Sequence, residues 1–270
     1  MFGRYRLEES FRSGGYAELF FAVSPDNQTV ILRRLRPEFA RDRERRERFR
    51  SGCEILRAFN HPNVIRQLDV GVAELPGVGT LPFHTLEHIN GPTLGDALRR
   101  HDPIASYDRM GLMLCMANGL THVHERGYLH LDFKPDNVII GAATGDVKIV
   151  DFDLARPRRP HPQHVEPLAG TPHYVSPEEL SRHEVDERSD IFAFGITAYE
   201  LWTGQKPMQG TSTRELSAKY AHFHQHLRPP RTLNPALPAD VEKIILRCLQ
   251  EDPAARYPAM AMVLRDLAAD

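Results

Sequence analysis

The residues best suited to chemistry fall in one stretch, His130-Leu131-Asp132-Phe133-Lys134-Pro135-Asp136-Asn137, with Asp151-Phe152-Asp153 beginning fourteen residues after Asn137. Moving a phosphoryl group needs a carboxylate to orient the attacking hydroxyl and accept its proton. It also needs a cation on the transferring group and oxygen ligands for Mg²⁺. Aspartate, lysine, asparagine and a second aspartate, in that order, supply all three. A second constellation, His222, His224 and His226, would put two imidazoles one helical turn apart, but it lacks a neighbouring carboxylate or cysteine and is not read as a metal site.

These side chains need a scaffold, and the 270 residues suffice for one large domain or two lobes sharing a cleft. With 41% hydrophobic and 26% charged residues, the chain is neither collagen-like, coiled-coil nor disordered. A net charge of −2 gives no broad attraction to nucleic acid or anionic membrane. Cys53, Cys115 and Cys248 form no CxxC pair, which fits a reducing compartment. No apolar run reaches the roughly 18 residues of a membrane span, so the expected location is cytoplasmic. The first 90 residues read as strands, Tyr5–Glu9, Glu18–Val23, Thr29–Arg34, Val64–Val70 and Leu81–Ile89, interrupted by one helix between Glu38 and Phe59. The six arginines from Arg41 to Arg50 are interleaved with acids and read as its solvated face. After Gly91-Pro92 helices dominate: Leu94–Arg100, Tyr107–Arg126, Asp190–Thr203, Thr213–Phe223 and Asp240–Leu249. The proline-rich stretch Arg156–Pro167 cannot be a regular helix and reads as an exposed loop.

The motifs resemble those of the eukaryotic-type (Hanks-type) Ser/Thr protein kinases, in their bacterial form. The loop at His130 is similar to HRDLKPxN and Asp151-Phe152-Asp153 to DFG. His61-Pro62-Asn63 matches an HPN turn, Gly170–Glu178 the GTPxYxAPE loop, Asp190–Gly195 the DxWxxG helix start, and Glu251–Arg256 a late segment whose arginine pairs with Glu178. The resemblance implies an α+β, bilobal protein-kinase fold. Residues 1–86 would form a small antiparallel β-sheet N-lobe with helix αC, 87–91 the hinge, and 92–270 a larger, mostly α-helical C-lobe. It implies ATP and Mg²⁺ as cofactors and a protein substrate or regulatory partner, with no nucleic acid and no membrane within this chain. By position, Asp132 would be the base, Lys134 the γ-phosphate cation, and Asn137 and Asp151 the Mg²⁺ ligands. Gly14, Gly15, Leu19, Ile31, Arg33, Glu87, Ile89 and Ile139 would hold the nucleotide. His130 would be a packing residue.

The first third of the chain departs from the pattern. The glycine-rich loop keeps Gly14 and Gly15 only. The lysine of VAxK is Arg33, and no lysine precedes Lys134 to replace it. Its glutamate partner on the helix is Gly52, while Glu54 lies about 200° round the helix and cannot substitute. Ile31 stands where a small alanine would roof the base pocket, and Leu86 is the gatekeeper. The glycine of DFG is Asp153, which is expected to replace part of the missing counter-charge on Arg33. Gln67 sits where an apolar residue would stack with Leu56, His130 and Phe152. Between Asp153 and Gly170 there is no Ser, Thr or Tyr, and Leu131 replaces the arginine that would bind a loop phosphate. Activation is therefore expected not to need phosphorylation there.

Three functions follow: a Ser/Thr protein kinase, weak or atypical; a pseudokinase acting as a nucleotide- or protein-binding allosteric domain; and a small-molecule phosphotransferase. The third is disfavoured by Gly170–Glu178 and Asp190, which belong to a protein-substrate architecture.

Overall fold

The computed structural model describes residues 1–13, 16–104, 108–164, 173–182, 184–210, 213–220 and 223–269. Five antiparallel strands, β1 (Arg6–Ser13), β2 (Ala17–Val23), β3 (Thr29–Leu35), β4 (Gln67–Leu75) and β5 (Gly79–Glu87), form one sheet in the order β1-β2-β3-β5-β4. Turn chemistry at Ser24–Gln28, with Asn27 at φ 60°, closes the β2–β3 hairpin. Helix α1 (Arg43–Leu56) begins where the Asp42 carboxylate accepts the Arg45 N–H at 2.9 Å. Its Phe49, Gly52, Cys53, Ile55 and Leu56 are buried, and its arginine face is mostly in solvent. Glu44 and Arg48 pair at 2.7 Å one helical turn apart, and Asp42, which caps the helix, also pairs with Arg45.

The remaining elements are mainly helical: α2 (Leu94–Arg100), α3 (Arg109–Glu125), α4 (Pro177–Arg182), α5 (Glu187–Thr203), α6 (Thr213–Tyr220), α7 (Phe223–His226), α8 (Ala239–Cys248) and α9 (Met260–Leu267). Helix α5 is buried along almost its whole length, as an apolar run without a polar face requires. A hairpin of β6 (Val138–Ile140) and β7 (Val147–Ile149) lies between Asp132 and Asp151 in sequence and so brings Asn137 and Asp151 together. The Val150 N–H donates to Asn137 O at 2.9 Å. Asn63 of the HPN turn ties this hairpin to the segment leaving α1: its side-chain amide donates to Val147 O at 3.1 Å, and its carbonyl accepts from Ile149 N–H.

One buried cluster belongs to the sheet lobe. The larger one runs from the helical lobe across to Ile31, Ile55, Leu56, Leu86 and Phe152, so the two halves share a core at the cleft. Two described pieces of the proline-rich stretch pair as short strands. Arg156–Pro157 pairs with Tyr128–Leu129, and Gln163–His164 pairs with Glu184–Val185.

Candidate active site

The loop carrying Asp132 is held from beneath by one carboxylate. Asp190, 1% exposed in the first turn of α5, accepts the backbone N–H groups of His130 and Leu131 at 2.8 Å each, and its Oδ2 lies 2.8 Å from His124 Nε2. Burial alone would raise its pKa. The His124 hydrogen bond and the charge around it win, and Asp190 stays below the usual carboxylate range. The clamp holds a strained backbone, since Leu131 has φ 59°, a left-handed value that costs a bulky residue on the order of 1–2 kcal/mol. His130 is fully buried, accepting the Asp132 N–H at Nδ1 (3.2 Å) and donating from Nε2 to Val150 O (3.2 Å). Both nitrogens serve the backbone, and the ring lies 4.7 Å from that of Phe152.

Around Asp132 the predicted residues converge. Lys134 Nζ lies 2.6 and 2.7 Å from the two Asp132 oxygens, and Asn137 Nδ2 donates to Asp132 O at 2.8 Å and Oδ2 at 2.9 Å. Committing its amide nitrogen leaves the Asn137 oxygen for a cation. Asp151, held at φ 64° with a side chain 39% exposed, offers a carboxylate from the other end of the hairpin. An amide oxygen and a carboxylate are the hard donors Mg²⁺ takes, so the residues present fit that ion.

The opposite wall is the sheet. Arg33 is only 12% exposed, hydrogen-bonds to Asp153 and lies 3.8 Å from Asp151. The expected counter-charge is therefore in contact. Burial works against the Arg33 cation, but the two carboxylates raise its pKa, while burial and the adjacent Asp151 push Asp153 above the ordinary carboxylate range against the pull of Arg33. Desolvation works upward on Asp151 as well, yet Arg33 holds it below the ordinary range. Helix α1 gives Arg33 an aromatic face, with Phe49 5.3 Å from the guanidinium carbon. Behind it, His84 is pushed down to about 3 by burial with Arg33 adding to the effect, so it stays neutral.

Ile31 and Leu86 are directly paired across β3 and β5 and both are buried, at 8% and 9% exposure. Leu19 and Ile89 pack half-buried at the core edge, and Ile139 is half-buried on β6. The Glu87 carboxylate is taken by Lys148 Nζ and the Arg66 N–H, both at 2.8 Å, which leaves its side chain a structural role. Among the described residues the Ile89 backbone has no hydrogen-bond partner. Gly14, Gly15, Thr171 and His222 lie outside the described residues. Gln67 points inward while its neighbour Leu68 is 43% exposed at a strand irregularity, so Gln67 is the residue in register. Its amide is half satisfied: Nε2 meets His84 Nδ1 at 3.1 Å, and Oε1 has no partner among the described residues.

Beyond the cleft, Arg256 is fully buried and grips Glu178 with two parallel bonds of 2.8 Å. Its remaining donors reach the carbonyls of Gln250, Arg188 and Glu251, satisfying all five N–H groups.

The pattern described as the protein kinase domain matches residues 5–267. The chain is a protein kinase domain. Serine/threonine-protein kinase PknB of Mycobacterium tuberculosis is 33% identical over 268 residues, covering 98% of this chain and 42% of that protein. A probable serine/threonine-protein kinase of Corynebacterium efficiens is 32% identical over 272 residues, 98% of this chain and 41% of the relative. Serine/threonine-protein kinase PknA of M. tuberculosis is 31% identical over 94% of this chain and 58% of its own length. The kinase domain thus spans about two fifths of the PknB-type relatives it matches. Among the described residues no helix is long and apolar enough to cross a membrane.

Sequence reasoning missed three features of the kinase domain's site. Asp190 was noted only as the start of a helix motif, and its clamp on two backbone N–H groups needs the fold to be seen. The Phe49 face and the His84 backing of Arg33 follow from sheet register and helix packing, which no local motif records.

Proposed function

We propose that the domain transfers the γ-phosphoryl group of ATP to serine or threonine hydroxyls of a protein. The observation that carries this reading is the Asp132 carboxylate, fixed by Lys134 and Asn137 on a loop that Asp190 clamps. Asp132 receives the acceptor hydroxyl and takes its proton. Lys134, already seated on Asp132, presents its ammonium to the phosphoryl oxygens. Asn137 Oδ1 and Asp151 would hold Mg²⁺, which when bound offsets negative charge on the phosphates. Arg33 would face the inner phosphates, and Leu19, Ile31, Ile89 and Ile139 would enclose the base, with the Glu87–Ile89 backbone as its polar edge. Residues 1–86, 87–91 and 92–270 serve as the sheet lobe, hinge and helical lobe. The names of the relatives support protein hydroxyls as acceptors.

A binding-only role has one observation in its favour, the Ile31–Leu86 pair, which narrows the space under the sheet. Radiolabelled transfer from Mg²⁺-ATP to a generic basic protein separates the two. Transfer that disappears in Asp132→Asn and Asp151→Ala supports the kinase reading, and nucleotide binding without transfer replaces it with the binding-only one.

A further inference from the structure

Arg33 is a nearly buried cation, and such a charge is tolerated only beside carboxylates. Its two ion-pair partners, Asp153 and Asp151, lie two residues apart on one segment. Helix α1 runs past the same guanidinium yet gives it no acid. Glu44, Glu47 and Glu54 are all exposed, and Phe49 offers only its ring.

What α1 presents to the Asp153 segment is a glycine. A Cβ built on Gly52 would lie 3.3 Å from Phe152 O, 3.4 Å from Asp153 Oδ1 and 3.6 Å from Asp153 Cα. The backbone conformation there is ordinary helix, so conformational freedom does not explain the residue, and glycine inside a helix is less favourable than alanine. Close approach does explain it. The space a side chain at 52 would enter holds the Asp153 carboxylate and the Phe152 carbonyl. A glutamate at 52 would meet both oxygens and repel them.

We infer that Asp153 is the positioning residue that holds Arg33 for the nucleotide phosphates, and that Gly52 is the gap its carboxylate requires. The two positions act as one arrangement in which the counter-ion of the sheet's cation belongs to the metal-ligand segment and not to the helix. This rests on the proposed nucleotide-binding reading and adds a statement about control. A helix-borne counter-ion would release Arg33 whenever the helix moved away. Here, displacing α1 leaves the Arg33–Asp153 pair intact, whereas displacing the segment withdraws Asp151 from the metal position and the carboxylate from Arg33 together. Nucleotide grip and metal grip are thereby coupled, and α1 is freed from both.

The test is a double-mutant cycle on Asp153→Gly and Gly52→Glu. It is read as Mg²⁺-ATP affinity by calorimetric titration and as the melting temperature of the nucleotide-free protein. Each single variant should bind at least about tenfold more weakly, one leaving Arg33 undercompensated and the other crowding two carboxylates. The double variant, which moves the carboxylate onto the helix, should recover most of the affinity and the melting temperature. Asp153→Asn preserves shape and removes charge; it should keep the fold while losing affinity, with Asp153→Glu falling between it and the parent. The inference is overturned if Asp153→Asn binds like the parent, if the double variant is no better than its worse single, or if the parent does not bind Mg²⁺-ATP. A parent that binds nucleotide but transfers no phosphate overturns the kinase reading alone, because affinity still reports on Arg33.

Discussion

The loop bearing Asp132 and the strand bearing Arg33 face the same cleft, yet their charges are held in different ways. Below, Asp132, Lys134 and Asn137 bond to one another, and the loop itself hangs from the buried Asp190, so these bonds need nothing from the other lobe. Above, the cation is set on a strand while its carboxylates come from the far wall, 118 and 120 residues along the chain at Asp151 and Asp153. The lower site is therefore preassembled, and the upper one exists only while the two lobes are apposed. Arg33, Gly52 and Asp153 meet only through the fold, whereas Asp190 serves two backbone N–H groups of the loop at once.

The largest expected effect tests the lower wall. Asp132→Asn keeps the shape of the loop and its bond to Asn137 but removes the proton acceptor, and transfer should fall by about 10²–10⁴-fold with Mg²⁺-ATP affinity little changed. Transfer within about tenfold of the parent would mean that the assembled loop is not where the chemistry happens. Next in size is the anchor of the substrate-side segment. Arg256→Ala leaves Glu178 buried and three carbonyls without their donor, a loss of about 3–5 kcal/mol measurable by urea unfolding. A loss below 1 kcal/mol would show that the helical lobe is less tightly determined than its bonding suggests.

How much of this contrast could be read in the sequence depended on the range of the interactions. The motif at Asp132 is legible because its members sit within six residues and contact one another directly. The strands and helices were found where periodicity was clear, but α9 was missed; of the helix expected over Thr213–Phe223, Thr213–Tyr220 is helical and Phe223 opens α7, with residues 221 and 222 outside the described residues. The departures at Arg33, Gly52 and Asp153 were visible one by one. Their contact could be guessed from charge, but the fit of Gly52 to the Asp153 backbone could not, because it depends on how closely a helix approaches a loop a hundred residues away. Gln67 shows the same limit: its inward direction was legible, and its partner His84 was set by the pairing of β4 with β5.

A smaller effect concerns proton linkage beneath the catalytic loop. Burial, reinforced by Asp190, Glu178 and Asp132 and opposed by Arg156, pushes Glu179 up to about 8 from an ordinary value of 4.5. The folded protein then holds this proton more tightly than the unfolded chain, so the associated stability is complete below about 4.5 and is lost as pH rises through 8. Glu179→Gln removes that loss. It should unfold like the parent at pH 4 and be more stable at pH 8.5, by at least about 1 kcal/mol in paired denaturation curves. A difference independent of pH would place the cost of Glu179 in packing.

The smallest expected effect is the most discriminating for the upper wall. Gly52→Ala brings a gain of roughly 1 kcal/mol in helix propensity. It also places a methyl group 3.3 Å from Phe152 O and 3.4 Å from Asp153 Oδ1, tighter than ordinary contact, so the segment must yield by a few tenths of an ångström. The two terms should nearly cancel in the nucleotide-free protein, leaving its unfolding free energy within about 0.5 kcal/mol of the parent. Because the yielding atoms belong to the carboxylate that seats Arg33 and to the carbonyl just before it, Mg²⁺-ATP affinity should still fall, by about two- to threefold. Stability raised by the full propensity gain with unchanged affinity would mean that the helix and the segment are not in close register. The upper wall would then owe its charge pairing to Asp153 alone, with Gly52 an incidental neighbour.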